Sequence, residues 1–164
     1  ASRELSDFMA LHDADWLLTG KDPEIGYESE ATKEKKLKDK DHPAELRVAN
    51  RLRAHGFRTV FVDDGPREFD EAKGIEQVVG LPDLDTGLEI KNVSTAKSEN
   101  TISKHIGKSK KKRGFKQIVI DVSENPNISD EKARAMIVNS LRRHSMQSAL
   151  MINHAGGVEV VSHP

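Results

Sequence analysis

Gly80-Leu81-Pro82-Asp83-Leu84-Asp85-Thr86-Gly87-Leu88-Glu89-Ile90-Lys91-Asn92 is the stretch on which the fold turns. It reads as a short β-hairpin. Asp85-Thr86-Gly87 is a three-residue loop with glycine where a left-handed residue is wanted. Leu84 then opposes Leu88, and Asp83 opposes Glu89. Strand alternation puts Leu84, Leu88 and Ile90 on one face and Asp83, Glu89 and Lys91 on the other. Two carboxylates directly opposite each other repel. The arrangement makes sense with a cation between them, and Mg²⁺ favours one or two carboxylates completed by water. Lys91, on the same face, is placed to meet a phosphate oxygen or an attacking water. The bland alternative is a surface hairpin carrying a Glu-Lys pair, and the flanking sequence argues against it.

Upstream, a helix is expected from Asp41-His42-Pro43 to Gly56. Pro43 suits a first helical position and Gly56 a C′ position. At 100° per residue, Glu45 lies within the face formed by Val48, Ala49 and Leu52. A glutamate there costs energy unless it is paired or faces a cation. Both readings stay open on the sequence. His42 and His55 flank this helix as capping or surface residues.

Downstream, Thr101 to Arg113 reads as a weakly amphipathic helix with Ile102 and Ile106 inward. Lys104, Lys108, Lys111 and Lys112 form its basic face, and Gly107 weakens it. From Lys91 to Lys116 there are nine Lys/Arg against one acid, whereas Asp63 to Glu89 holds nine acids and two bases. A carboxylate hairpin beside a basic segment fits a metal site next to a phosphate-binding surface. Lys104, Lys108, Lys110, Lys111, Lys112 and Arg113 are therefore candidates for nucleic-acid contact. His105 joins them, either touching phosphate or moving a proton. Gln117, opening the next strand, either supports the site or satisfies a backbone group. Only Phe115 supplies an aromatic ring here, which points to backbone and shape recognition rather than base stacking.

The chain of 164 residues suits one domain with a real core. Its 35% hydrophobic and 32% charged content suits a polar-surfaced α/β protein, and a net charge of −1 decides nothing about partners. There is no cysteine, so no disulfide framework is needed. No run approaches the length of a membrane span. No signal peptide is visible at Ala1, and the chain could be a processed or C-terminal piece of something larger.

The remaining elements follow in order. Residues 2–18 read as a helix stopped by Gly20, and 21–41 as a polar linker or solvated helix. Residues 1–40 are thus expected to precede a functional domain spanning 41–164. Phe57–Val62 and Ile75–Val79 read as strands, with a turn at Asp63-Asp64-Gly65-Pro66 and a polar loop or helical turn between them. Lys116–Val122 reads as a buried strand around Ile118-Val119-Ile120. Ser129 N-caps a helix to about His144, and Ser148–Asn153 with Gly157–Val161 forms a last hairpin.

Pro82-Asp83 followed by Glu89-Ile90-Lys91 resembles the signature of PD-(D/E)XK nucleases. The order of elements from Asp41 to Val122, about half the chain, is similar to their αβββαβ core. His42-Pro43-Ala44-Glu45, Pro82-Asp83, Glu89-Ile90-Lys91 and Gln117-Ile118-Val119-Ile120 together resemble C-terminal toxin domains of contact-dependent growth-inhibition systems. The resemblance implies a restriction-endonuclease-like α/β core, with an added N-terminal helix and a C-terminal helix plus hairpin. It implies Glu45, Asp83, Glu89 and Lys91 as catalytic residues. Asp83, Glu89 and Glu45 would serve as ligands of a divalent metal, Mg²⁺ or Mn²⁺, and the Ile90 carbonyl as a further ligand. It also implies an RNase acting on tRNA, carried by a secreted or surface-delivered bacterial protein, active in the target cell's cytoplasm and neutralised by a cognate immunity protein. RNA allows a second chemistry, 2′-hydroxyl attack without a metal. A DNase of the same fold and a non-catalytic interaction module are the competing readings.

Overall fold

A computed structural model describes residues 25–63, 80–95 and 98–163 of the chain. The expected helix at 2–18, the loop after Asp63 and the strand at 75–79 lie outside these residues. The elements are β1 (Gly26–Tyr27), α1 (Glu30–Leu37), α2 (His42–Ala54), β2 (Val60–Phe61), β3 (Leu88–Asn92), α3 (Glu99–Lys110), β4 (Gln117–Asp121), α4 (Asp130–Arg143), β5 (Ser148–Ile152) and β6 (Val158–Ser162).

The Gly80–Asn92 stretch forms a tighter device than a two-stranded ladder. Leu84 N–H donates to the Leu88 carbonyl at 3.1 Å, and Gly87 N–H returns to the Leu84 carbonyl at 3.0 Å. Gly87 has φ +87, the left-handed value expected of it. A Cβ there would sit 2.5 Å from the Gly114 carbonyl oxygen, so glycine is required twice over. Only the second arm becomes a regular strand, β3. The first arm, around Leu84, bridges antiparallel to Phe61 of β2. Val62 N–H donates to the Asp83 carbonyl at 3.0 Å and Asp85 N–H to the Val60 carbonyl at 2.8 Å. The hairpin thus joins a small sheet, β1 parallel to β2, to a four-stranded sheet of order β3-β4-β5-β6.

Within the larger sheet, β3, β4 and β5 run parallel and β6 closes the edge antiparallel. Parallel strands buried on both faces read as continuous apolar runs, which accounts for Ile118-Val119-Ile120 and Ala149-Leu150-Met151-Ile152. One face carries Leu84, Leu88, Ile90, Val119 and Leu150 against Val48, Ala49 and Leu52 of α2. The other carries Ile118, Ile120 and Met151 against Ile102 and Ile106 of α3 and Ile137 and Leu141 of α4. The result is a three-layer α/β architecture. Among the described residues no helix is long and apolar enough to cross a membrane.

The stretch read as linker or solvated helix is partly structural. Gly26-Tyr27 pairs with Val60-Phe61, and α1 is N-capped by Ser29, whose Oγ accepts from Thr32 N–H. Lys36, from the charge run, is buried with its ammonium 5.8 Å above the Phe61 ring, while Leu37 is exposed. The aliphatic lysine stem covers apolar surface while its charge stays paired with the ring, so the stretch is not only solvated. The helix bounds near Pro43 and Gly56 and the Ser129 cap stand as expected.

Candidate active site

A cleft of about 540 Å³ opens where the N-terminal turn of α2 meets β3. Glu45, Asp83, Glu89 and Lys91 all line it, together with Ile90, Asn92 and Lys112. These come from three separate pieces of chain: the start of α2, the Gly87 hairpin and the loop after α3. Asn92 and Ser94 put the cleft at the C-terminal end of β3, where open α/β sheets place their ligands.

Asp83 and Glu89 are both buried. Asp83 Oδ2 accepts from Ile90 N–H at 2.7 Å, which fixes that carboxylate beside the next strand position. Glu89 is fully inaccessible, and among the described residues only the Lys112 ammonium, at Oε2, meets its carboxylate. Its compensating charge is the ammonium of Lys112. A buried carboxylate met at one oxygen only is costly, and a cation is the group that relieves it. The donor set therefore fits a hard cation held by oxygen.

Glu45 stands apart from that pair. Its Oε1 lies 3.0 Å from His42 Nδ1, and His42 Nε2 lies 2.8 Å from the Tyr27 hydroxyl. With Nδ1 donating to Glu45, Nε2 accepts from Tyr27, a neutral-imidazole pattern. Burial and the Glu45 charge raise the Tyr27 pKa, keeping that hydroxyl a donor. Among the described residues no three His, Asp or Glu side chains group closely enough to hold one ion. Glu45 lines the same cleft as Asp83 and Glu89, with its carboxylate held by His42. Glu45 is not buried within the apolar face: its side chain keeps 16% exposure at the helix end. His42, expected to be a cap or surface residue, is 1% exposed and lies edge-on to Phe61. Its i,i+3 spacing to Glu45 is a local signal, but its burial is not, because the Tyr27 and Phe61 rings that cover it lie on β1 and β2.

The basic segment divides. Lys112 reaches the cleft. Lys104, Lys108, Lys110, Lys111 and Arg113 are exposed and do not line it. Lys110 Nζ bonds the His144 carbonyl at the end of α4. His105 is half-buried, with a pKa lowered first by burial and then by the charges of Lys91 and Lys108. It does not line the cleft. Gln117 does not line the cleft either. It registers opposite Leu88, on the apolar face, and its amide donates to Ser148 Oγ at 3.2 Å.

No protein-family model matches the chain, and no curated protein matches it. One solved structure that overlaps it is the CdiA-CT/CdiI toxin and immunity complex from Burkholderia pseudomallei. The overlap has a TM-score of 0.43 and 16% identity, over 88% of this chain and 98% of that one. The functional reading accordingly rests on the cleft and the residues in it.

Proposed function

We propose that the chain is a metal-dependent endoribonuclease with tRNA as its substrate. As a toxin domain it would be delivered from a bacterial surface protein into target cells and neutralised by a cognate immunity protein. The observation that carries the catalytic part is the convergence of Glu45, Asp83, Glu89 and Lys91 on one cleft. Delivery, toxicity and immunity are supported by the sequence resemblance alone.

Asp83 and Glu89 would hold the divalent ion. When bound, such an ion lowers the pKa of a coordinated water and offsets charge on the phosphate. Lys91 supplies a fixed positive charge on the cleft wall for a phosphate oxygen. Glu45, held by His42, presents a carboxylate that accepts a hydrogen bond from the attacking water. The exposed Lys104, Lys108 and Lys111 supply backbone contacts outside the cleft.

Incubating the purified chain with total cellular RNA and with plasmid DNA, in Mg²⁺ or in EDTA, tests the reading. RNA cleavage that concentrates in tRNA and stops in EDTA is the expected result. Cleavage of plasmid alone makes the chain a DNase on this fold. Cleavage of neither makes it an interaction module. Sequencing the product ends separates the two chemistries, because 2′-hydroxyl attack leaves a cyclic phosphate whereas water leaves a free hydroxyl.

A further inference from the structure

We infer that Lys112 is a resident counter-ion of Glu89, which a divalent cation must displace to occupy the site. The inference rests on the metal reading proposed above. Glu89 is wholly buried, and among the described residues no group other than Lys112 donates to its carboxylate. Its charge is met by the Lys112 ammonium, which arrives from a loop more than twenty positions downstream. That ammonium therefore stands against the carboxylate that a divalent ion would use. An ammonium and a divalent ion on one buried carboxylate repel each other, which favours exchange over joint occupancy.

The geometry gives Lys112 somewhere to go. Its side chain is 18% exposed, whereas that of Glu89 is 1% exposed. It lies beyond the last turn of α3, between exposed Lys111 and Arg113, on a loop turned by Gly114 at φ +80. A four-carbon lysine stem reorients without moving the backbone. The displaced ammonium is left at the wall of the same cleft as Lys91, where a substrate phosphate would lie. Cation and RNA then help each other to bind: the ion frees a lysine for phosphate, and phosphate keeps that lysine away from Glu89. By linkage each raises the other's affinity by the same factor. Without either, the carboxylate and the lysine neutralise each other, and the folded chain carries no unpaired buried charge at this point.

Mn²⁺ binding to the free chain, followed by electron paramagnetic resonance, tests this without any turnover. K112Q is expected to bind Mn²⁺ about tenfold more tightly than wild type, within the usual range of such couplings. K112R keeps the charge and should bind as wild type, and K111Q should do likewise. E89Q/K112Q should lose the site. Thermal melting is read alongside, because K112Q leaves Glu89 uncompensated. Its melting temperature should fall without metal, and Mn²⁺ should raise it more than it raises that of wild type. Equal or weaker Mn²⁺ binding by K112Q overturns the exchange while leaving the metal site intact. A K112Q chain that stays unfolded even in Mn²⁺ also overturns it, making Lys112 a structural partner that no cation replaces. Absence of Mn²⁺ binding in both wild type and K112Q overturns the metal reading itself.

Discussion

Glu89 and Glu45 are both carboxylates at one cleft, yet their surroundings set different behaviour. Among the described residues, Glu89 is met by the Lys112 ammonium alone. Glu89→Gln keeps the shape and removes a buried charge, so the chain without metal should melt within a few degrees of wild type. Cleavage should fall at least about a hundredfold, since even changes beyond the direct ligands of a metal cost 10–100-fold. A variant that keeps its activity would remove Glu89 from the site. Glu45→Ala has a different signature. It strips the partner from buried His42 Nδ1, which should cost about 1–3 kcal/mol of stability by denaturant unfolding. Activity per folded molecule should fall as well. Loss of stability with unchanged specific activity would mark Glu45 as only a lock for His42 and Tyr27.

Single elements separate binding from chemistry. Lys104 and Lys108 on α3, with Lys111 at its C-cap, lie at helical spacing and are exposed. Changing all three to Gln should weaken RNA binding and flatten its dependence on salt, lowering the log–log slope by about 2. Turnover at saturating RNA should stay near wild type, because none of the three lines the cleft. An unchanged slope would make them surface charge only. Lys112 belongs to the same basic run in the sequence but is excluded from this set by its contact with Glu89. The hairpin ties these elements together. Lys116 N–H donates to the Gly87 carbonyl at 2.9 Å, so the loop that carries Lys112 is anchored to the turn that carries Asp83 and Glu89.

Across the whole molecule, polar contacts far from the cleft close the C-terminal half. Arg134 on α4 grips Glu159 on β6 with two nitrogens, at 2.5 and 3.0 Å, and Asn153 adds a third donor to that carboxylate. His154, between β5 and β6, faces the Asn125 carbonyl at 2.8 Å and Asp130 at 2.5 Å, one acceptor at each ring nitrogen. Acceptors at both positions favour the doubly protonated ring. The Asn125 carbonyl and then Asp130 accordingly raise its pKa above the ordinary 6.5. A raised folded-state pKa means that the stabilisation is fully present below about pH 6.5 and is lost as pH rises through the folded value. The melting temperature of wild type should exceed that of His154→Gln most at pH 6, with the gap closing by pH 9. A gap independent of pH would show that the ring acts by packing alone.

What the sequence by itself determined is what neighbours along the chain control. Gly87 and Gly56 mark turns because only a residue without Cβ takes a positive φ cheaply. Pro43 and Ser129 mark helix starts because the first turn leaves N–H groups without partners. The apolar run at Ile118–Ile120 marks a strand buried on both faces. Alternation from Leu84 to Lys91 likewise set Glu89 and Lys91 apart from Leu84, Leu88 and Ile90, which pack toward α2, although Ile90 also borders the cleft. Tertiary structure alone decided who meets whom across those elements. Lys112 rather than its basic neighbours reaches Glu89, His42 holds Glu45, Gln117 turns to Ser148, and Gly26-Tyr27 becomes a strand by pairing with β2. Apart from the i,i+3 pair of His42 and Glu45, each of these depends on groups brought together from distant positions. In a low-dielectric interior, the nearest available partner sets whether a charged or polar group is stabilised, and the spacing of residues along the chain does not encode that distance.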